Sequence, residues 1–532
     1  MTTPSEMLGI KKFDRWYPGQ EDLFNQVMEW INTGPQALGL SVPTGYGKSL
    51  LGMLIAQMSG RKTVYLTATK GLQDQLMRDF GAVGLGRGAV ELKDIKGQNE
   101  YRCLEFQSMQ VDRAPCHTGY NCPSKRQCPY YMALEEAQRA KRVVTNYHKW
   151  MYQIYSHDSM KVSMPRDTQL LICDEAHQIA SVLENFLTVR FTAKDRDLFP
   201  WDPHWSARVW KSEVSDTLEL VKGRLQAVLR SVSNQSSNMD IDHKLIAEYR
   251  HLQSLEDRLD RLDVGLKDNA SNWMPEMTED DMAVWTPLKI SRYNNVLFQG
   301  VPKVILMSAM ITRPMMDYLG VLDGQWIDAP SLFPASNTPI VHVKNVTVDH
   351  RTSDKDMEKW VNCIDEIIAG RQHKKGIVFT VSYARARYLT ERSRFKSQMY
   401  QHSNQNLRSV VDQFKRASAP ATLVSPAVTT GWDFPSTECE YIVVGKIPYP
   451  DTRGSVMKAR QAEDKSYPSM IAMQTLVQEC GRGTRNSDDK CQVLIVDDTW
   501  MRWWPQNRNL APRWFRDRVH RTNSLDRIPI QI

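Results

Sequence analysis

Two segments hold residues whose types and spacing suit phosphoryl chemistry. In SVPTGYGKSLLGMLIAQ (41–57) an apolar run meets Thr44, Gly45 and Gly47 just before Lys48, Ser49 and an apolar helical pattern. Glycines there permit the backbone turns that aim N–H groups at phosphate oxygens, and a helix N-terminus adds a favourable dipole. In such a loop Lys48 sits against the β- and γ-phosphates of ATP, and the Ser49 hydroxyl ligates Mg2+. The strict GxxxxGK[ST] spacing fails at its first position, which is Val42, so a Gly-rich turn before an ordinary helix is the competing reading. The second segment, LLICDEAH (170–177), ends an apolar strand in two consecutive carboxylates. That is costly unless they work at the strand end. Asp174 is expected to hold Mg2+ through water and Glu175 to polarise the attacking water, the positioning and charge neutralisation that phosphoryl transfer needs.

A third chemical set lies far downstream. In QECGRGTRNSDD (478–489), Arg482 and Arg485 are three apart and are expected to face one side of a helix. Guanidinium forks neutralise charge on a transferring phosphoryl group.

Cysteines form the fourth set. The chain has nine, and Cys103, Cys116, Cys122 and Cys128 crowd into one stretch. Soft thiolates select zinc or an iron–sulfur cluster. Structural zinc sites favour pairs two to four residues apart, and no spacing here is that short. Single cysteines at loose spacing suit a cubane better, with one thiolate for each iron. Cys173, Cys363, Cys439, Cys480 and Cys491 read as buried small apolar residues. Around the four lie Lys93, Lys96, Arg102, Arg113, Lys125 and Arg126 with Tyr101, Phe106, Tyr120, Tyr130 and Tyr131. Interleaved cations and rings suit single-stranded nucleic acid or a solvated basic surface equally.

These groups need rigid elements to position them. Short aliphatic runs recur at Thr63–Thr67, Val143–Thr145, Leu170–Cys173, Val304–Met307, Ile377–Thr380, Thr422–Val424, Tyr441–Val444 and Val493–Val496. Their length is that of buried strands, and many lead into helical patterns, which predicts parallel α/β layers. Residues 97–134 break the pattern with Cys, Pro, Gln and Arg. Residues 180–285 show no strand series, but Val214–Leu229 and Leu245–Leu262 carry apolar residues at helical spacing, with a loop at 231–240 between them. Trp500, Trp503, Trp504 and Trp514 read mostly as packing near the C-terminus. At 532 residues with 41% hydrophobic and 24% charged residues the chain is of ordinary globular composition, and its net charge of +7 leans towards a polyanionic partner. No apolar run is long enough to span a bilayer, and the N-terminus lacks the apolar core of a signal peptide.

In order and content the motifs resemble the iron–sulfur branch of superfamily 2 helicases, which includes XPD and the bacterial DinG helicases. The resemblance runs from Tyr17 to about Pro512. It is carried by RWYPGQ (15–20), VYLTATKGLQDQL (64–76), CPYYMALEEAQRAKRVVTNYHKWM (128–151), VILMSAMI (304–311), GIVFTVSY (376–383), SPAVTTGWDFP (425–435), KIPYP (446–450) and the QECGRGTR segment. It implies that Gln20 reads the adenine edge and that Arg482 and Arg485 reach the γ-phosphate with Gln478 alongside. It also implies that Asp433 links nucleotide to DNA, and that the four cysteines hold a [4Fe–4S] cluster. Two residues depart from the family pattern: Met310 stands where a Thr is usual in the coupling motif, and Thr430 where Glu is frequent.

The fold expected is α/β: two RecA-like motor domains, with a Cys-rich Fe–S insert and a helical arch-like insert in the first. The expected divisions are motor domain 1 at 1–96, 135–180 and 285–312, the Fe–S insert at 97–134, the arch at 181–284, and motor domain 2 at 313–532. The resemblance implies a monomeric ATP-dependent DNA helicase moving 5′ to 3′ on single strands, acting on forked or branched DNA, D-loops or R-loops with their RNA–DNA hybrids. Its expected setting is the cytoplasm of a bacterial or phage-infected cell, with no membrane partner. Two other readings stay open: a translocase or remodeler without processive unwinding, favoured by Met310 and Thr430, and a passive zinc-containing nucleic-acid-binding module.

Overall fold

Strand-length runs that are apolar at every position must be covered on both faces, and parallel sheets flanked by helices do this. The computed structural model has that architecture. It describes the chain apart from Met1, Lys11, Thr44, residues 82–90, 118–121, 156–166, Pro203, residues 236–242, Glu279, Phe333, residues 427–431, Asp433, residues 485–487 and residues 521–532. Thr44, Tyr120, Thr430, Asp433 and Arg485 of the sequence reading therefore lie outside the described residues.

Among the described residues the first motor domain contains β1 (Ala37–Ser41), β2 (Thr63–Thr67), β3 (Leu92–Asp94), β4 (Arg142–Asn146) and β5 (Leu170–Asp174). The insert that follows adds β6 (Val189–Phe191), β7 (Trp273–Met277) and β8 (Ala283–Pro287), after which β9 (Lys303–Ser308) and β10 (Gln325–Asp328) return to the motor. The motor sheet is parallel, in the order β10-β1-β9-β5-β2-β4-β3. Alternate residues of β2 enter opposite cores, Val64 and Leu66 on one face and Tyr65 on the other. The second domain holds β11 (Ile340–Val346), β12 (Lys375–Phe379), β13 (Met399–Gln401), β14 (Ala421–Ser425), β15 (Tyr441–Val444) and β16 (Gln492–Asp497). Its sheet, also parallel, has the order β11-β16-β15-β12-β14-β13.

Each strand anticipated from an aliphatic run is present, but several expectations need correction. The 180–285 interval is not purely helical. Beside the helices Ala207–Gln235 and His243–Asn269 it contains a small antiparallel sheet of order β6-β8-β7. Its strands are three to five residues long, and β7 carries Pro275, tolerated because that strand is an edge. Residues 231–235 continue the first helix rather than opening a loop. The boundary at 312/313 falls too early, since β10 pairs with β1 in the first sheet. Its QWID sequence holds only two apolar residues between polar ends, so it gave no run to notice. Likewise β8 extends the insert's sheet to Pro287, past residue 284. Trp500, Trp503 and Trp514 are buried as packing residues, and Trp504 stacks on Trp500.

A candidate nucleotide site between the two motor domains

Strand order decides where the chemistry gathers. Because β9 lies between β1 and β5, the carboxyl ends of three adjacent strands bring together the 42–47 loop, Ser308 and the Asp174–Glu175 pair. Ser41 is in register with Ser308, and Asp174 with Met307. Open parallel sheets bind ligands at this edge.

The loop after β1 turns through Gly45 (φ +79°) and Gly47 (φ +75°), left-handed conformations that glycine adopts without strain. Lys48 then opens the helix Lys48–Met58, with Ser49 in its first turn. Gln20 is fully buried beneath this loop. Its amide nitrogen donates to the Tyr46 carbonyl at 2.8 Å, and its oxygen accepts from the Tyr17 N–H at 3.2 Å. A Cβ at position 47 would come within 2.9 Å of the Gln20 amide nitrogen, so glycine is required there on two counts. Lys48 Nζ stands 4.0 Å from Glu175 Oε1.

Asp174 is almost fully buried. It accepts from the Tyr65 hydroxyl at 3.2 Å and from the Glu175 N–H at 2.9 Å. Burial and then the neighbouring Glu175 charge push its pKa up to about 6, against the opposing pull of Lys48. A buried carboxylate beside a second negative charge is an environment that a divalent cation relieves. Glu175 itself adopts φ +51°, a left-handed conformation rare for a non-glycine residue and costing on the order of 1 kcal/mol or more.

Two residues that the sequence reading did not assign complete the set. His177 Nδ1 lies 3.3 Å from Glu175 Oε2 and 2.8 Å from Ser308 Oγ. Across the domain boundary, the Gln478 amide nitrogen is 2.9 Å from His177 Nε2. With that amide donating to Nε2, the imidazole proton sits on Nδ1, facing Ser308 and Glu175. His177 closes the DEAH tetrapeptide and Ser308 opens the Ser-Ala-Met triplet, so both were visible as motif members, but nothing local said that they meet.

Gln478 lies on the helix Tyr467–Cys480. Arg482 does not continue that helix, contrary to expectation: the helix ends at Cys480 and turns at Gly481. From the turn Arg482 donates to the Trp432 carbonyl at 2.8 Å. Burial lowers its pKa, while the Glu479 and Glu175 charges act in the opposite direction, which places the guanidinium within electrostatic reach of Glu175.

Away from this edge the structure gathers the four cysteines. Cys103 and Cys128 are buried, Cys116 and Cys122 partly so, among one-turn 3-10 segments that lead into the helix Pro129–Arg139. Burial, followed by the charge on Cys103 and then on Cys122 and Cys128, pushes the Cys116 thiol up to about 11. Cys122 is raised by burial, with Cys103 and Cys128 also contributing. The four sulfurs thus share one neighbourhood. Among the described residues no three His, Cys, Asp or Glu side chains converge as ligands of a single ion. Of the surrounding basic and aromatic residues, Lys93 pairs with Glu136, Lys96 with Asp74, and Lys125 lies over the Tyr131 ring. Four of the other five cysteines are buried as expected, but Cys363 is only partly so.

Comparison with known proteins agrees with this architecture. Residues 365–518 match the family model described as helicase C-terminal domain, and residues 14–193 match that of the type III restriction enzyme res subunit. The ATP-dependent DNA helicase YoaA of Escherichia coli (strain K12) is 20% identical, over 90% of this chain and 91% of its own length. YoaA of Haemophilus influenzae is also 20% identical, over 87% of this chain and 88% of its own. Among solved structures, one titled XPD_Helicase superposes with a TM-score of 0.65 at 17% identity, covering 95% of this chain and 99% of that one. S. tokodaii Xpd4 gives 0.56 at 12% identity, covering 92% and 97%. The fold is thus that of a tandem RecA-like motor. The chain is an ATP-hydrolysing helicase, similar in sequence and fold to superfamily 2 helicases of the XPD/DinG type. Among the described residues no helix is long and apolar enough to cross a membrane.

Proposed function

We propose that this chain is a DNA helicase that moves 5′ to 3′ along single strands and opens forked duplexes, D-loops or R-loops. The observation that carries the reading is the contact chain from Glu175 through His177 to Ser308 in one motor and Gln478 in the other. Such a chain gives hydrolysis in the first motor a direct route to the position of the second.

In this reading Lys48 holds the β- and γ-phosphates, and Thr44, Gly45 and Gly47 shape the loop around them. Gln20 braces the loop and meets the adenine. Ser49 and Asp174 would hold Mg2+, which supplies charge neutralisation on the phosphates. Glu175 orients the attacking water, and its fixed left-handed backbone aims the carboxylate. Arg482 and Arg485 neutralise charge on the transferring phosphoryl group, Gln478 orders His177, and Asp433 communicates with DNA.

Cys103, Cys116, Cys122 and Cys128 would hold a [4Fe–4S] cluster. Their shared neighbourhood and their loose spacing along the chain support a cubane, which takes one thiolate on each iron. The cluster would rigidify an insert made of single turns. Translocation without processive unwinding is the second reading, favoured by Met310 in place of a hydroxyl.

Strand displacement by anaerobically purified protein on 5′- and 3′-tailed duplexes decides between them. Displacement of the 5′-tailed duplex alone is expected, and displacement of neither supports the second reading. Affinity for single strands should fall with salt at a log–log slope of about −0.7 per phosphate neutralised.

A further inference from the structure

From the end of β9 into the residues that follow, the chain changes cores three times within six residues. Leu306 packs in one core of the first motor and Met307 in the other. Ala309 and Met310 then belong to a cluster whose other buried members all come from Ile340 onward, including Ile377, Phe379, Leu476, Trp514 and Phe515. Ile311 returns to the first motor. Met310 is 4% exposed, so its side chain is inserted into the second motor rather than lying at its surface.

A hydrogen bond fixes the same dipeptide from the other side. The Trp514 indole Nε1 donates to the Ala309 carbonyl at 2.6 Å, in a buried setting, and the Arg518 guanidinium lies over the Trp514 ring at 4.7 Å. Buried donors are expensive to leave unmade, so this bond resists separation of Trp514 from Ala309. The dipeptide in turn touches the hydrolytic network. The Met310 N–H donates to Ser308 Oγ at 3.1 Å, and Ser308 Oγ is 2.8 Å from His177 Nδ1.

We infer that Met310 and Trp514 are positioning residues that clamp the Ala309–Met310 dipeptide to the second motor, so that displacement of that motor shifts Ser308 and, through His177, Glu175. The inference rests on the ATP-driven reading proposed above. It assigns to apolar insertion and one indole bond the coupling role that a threonine hydroxyl would otherwise serve at position 310. A thioether with three rotatable bonds suits an interface that must stay filled while two domains move.

The test compares ATP hydrolysis with and without single-stranded oligothymidine in wild type, Trp514→Phe, Met310→Leu and Met310→Ala. Trp514→Phe keeps an aromatic ring in the core but removes the N–H together with the indole's five-membered ring, so Met310→Leu and the double variant below separate the lost bond from lost volume. Its basal hydrolysis should match wild type, while its DNA-stimulated kcat falls about fivefold at unchanged KM for ATP, the scale of one net hydrogen bond. Met310→Ala should lose more of the stimulation, and Met310→Leu, which keeps the apolar volume, should restore it. Combining Trp514→Phe with Ser308→Ala should cost no more than Ser308→Ala alone, because both act through one path. Wild-type stimulation in Trp514→Phe, or losses that multiply with Ser308→Ala, would overturn the clamp and leave the motor reading intact. A wild-type protein whose hydrolysis does not respond to DNA would overturn the motor reading and the clamp with it.

Discussion

Glu479 sits one residue after Gln478 on the helix that ends in the second motor's core, is 4% exposed, and has no hydrogen-bond partner on either carboxylate oxygen among the described residues. Burial pushes its pKa from the ordinary 4.5 to about 8, with Arg482 pulling in the opposite direction. An acid whose pKa is higher in the folded state binds its proton more tightly there. Stability is therefore unaffected below about pH 4.5 and falls as pH rises from there to about 8. At about 1.36 kcal/mol per pH unit, the 2.5 units between 4.5 and pH 7 correspond to about 3 kcal/mol, and the penalty approaches its full size above pH 8. Glu479→Met fills similar space without the charge and should remove this pH dependence, gaining about 2–3 kcal/mol at pH 7. Glu479→Gln should flatten the profile equally but gain less, because a buried amide without partners costs about 1–3 kcal/mol. Urea denaturation at intervals from pH 5 to pH 9 measures this, followed by tryptophan fluorescence, since Trp500, Trp503 and Trp514 lie in the same core. Parallel wild-type and Glu479→Met profiles across that range would refute the reasoning, because they would mean that Glu479 is hydrated or paired when folded.

Lys48→Ala should abolish ATP hydrolysis, and Glu175→Gln should retain nucleotide binding while losing turnover by about a hundredfold or more; nucleotide-binding and steady-state assays separate the two. Serine at Cys103, Cys116, Cys122 or Cys128 should lose iron and the brown absorbance near ~400 nm, retain part of the ATPase and lose unwinding. Colourless wild-type protein carrying one tight zinc and unwinding normally would instead support the zinc alternative. In the arch, Arg258 forms two 2.8 Å bonds to the two oxygens of Asp195, which is 1% exposed. Arg258→Met should destabilise that region by about 3–5 kcal/mol, seen as faster hydrogen exchange across residues 189–199 and 243–269. Burial opposes ionisation of Asp195, but the Arg258 and Thr192 hydrogen bonds outweigh it and hold its pKa below the usual range. Its contribution is accordingly present at neutral pH and lost on acidification.

Much of the fold was legible because buried parallel strands are the easiest elements to read. Their residues are apolar on both faces, so runs such as Val493–Val496 stand out with no knowledge of their neighbours. The phosphate loop and the Asp174–Glu175 pair were legible for a similar reason: glycines at positive φ and carboxylates at a strand end are local necessities. The strands missed in the arch are short, and β10 is only partly buried, so neither leaves an apolar run. What only the tertiary structure decided is which distant segments meet. The chain leaves the first sheet at β5 and returns at β9 after the whole arch, yet β9 takes the slot between β1 and β5. That placement sets Ser308 beside His177, brings Gln478 to the other imidazole nitrogen, and sends Met310 into the second motor's core. A residue's type and its immediate neighbours carry no record of partners more than a hundred positions away. Those pairings follow from strand order and domain packing, which are satisfied by the burial of the chain as a whole.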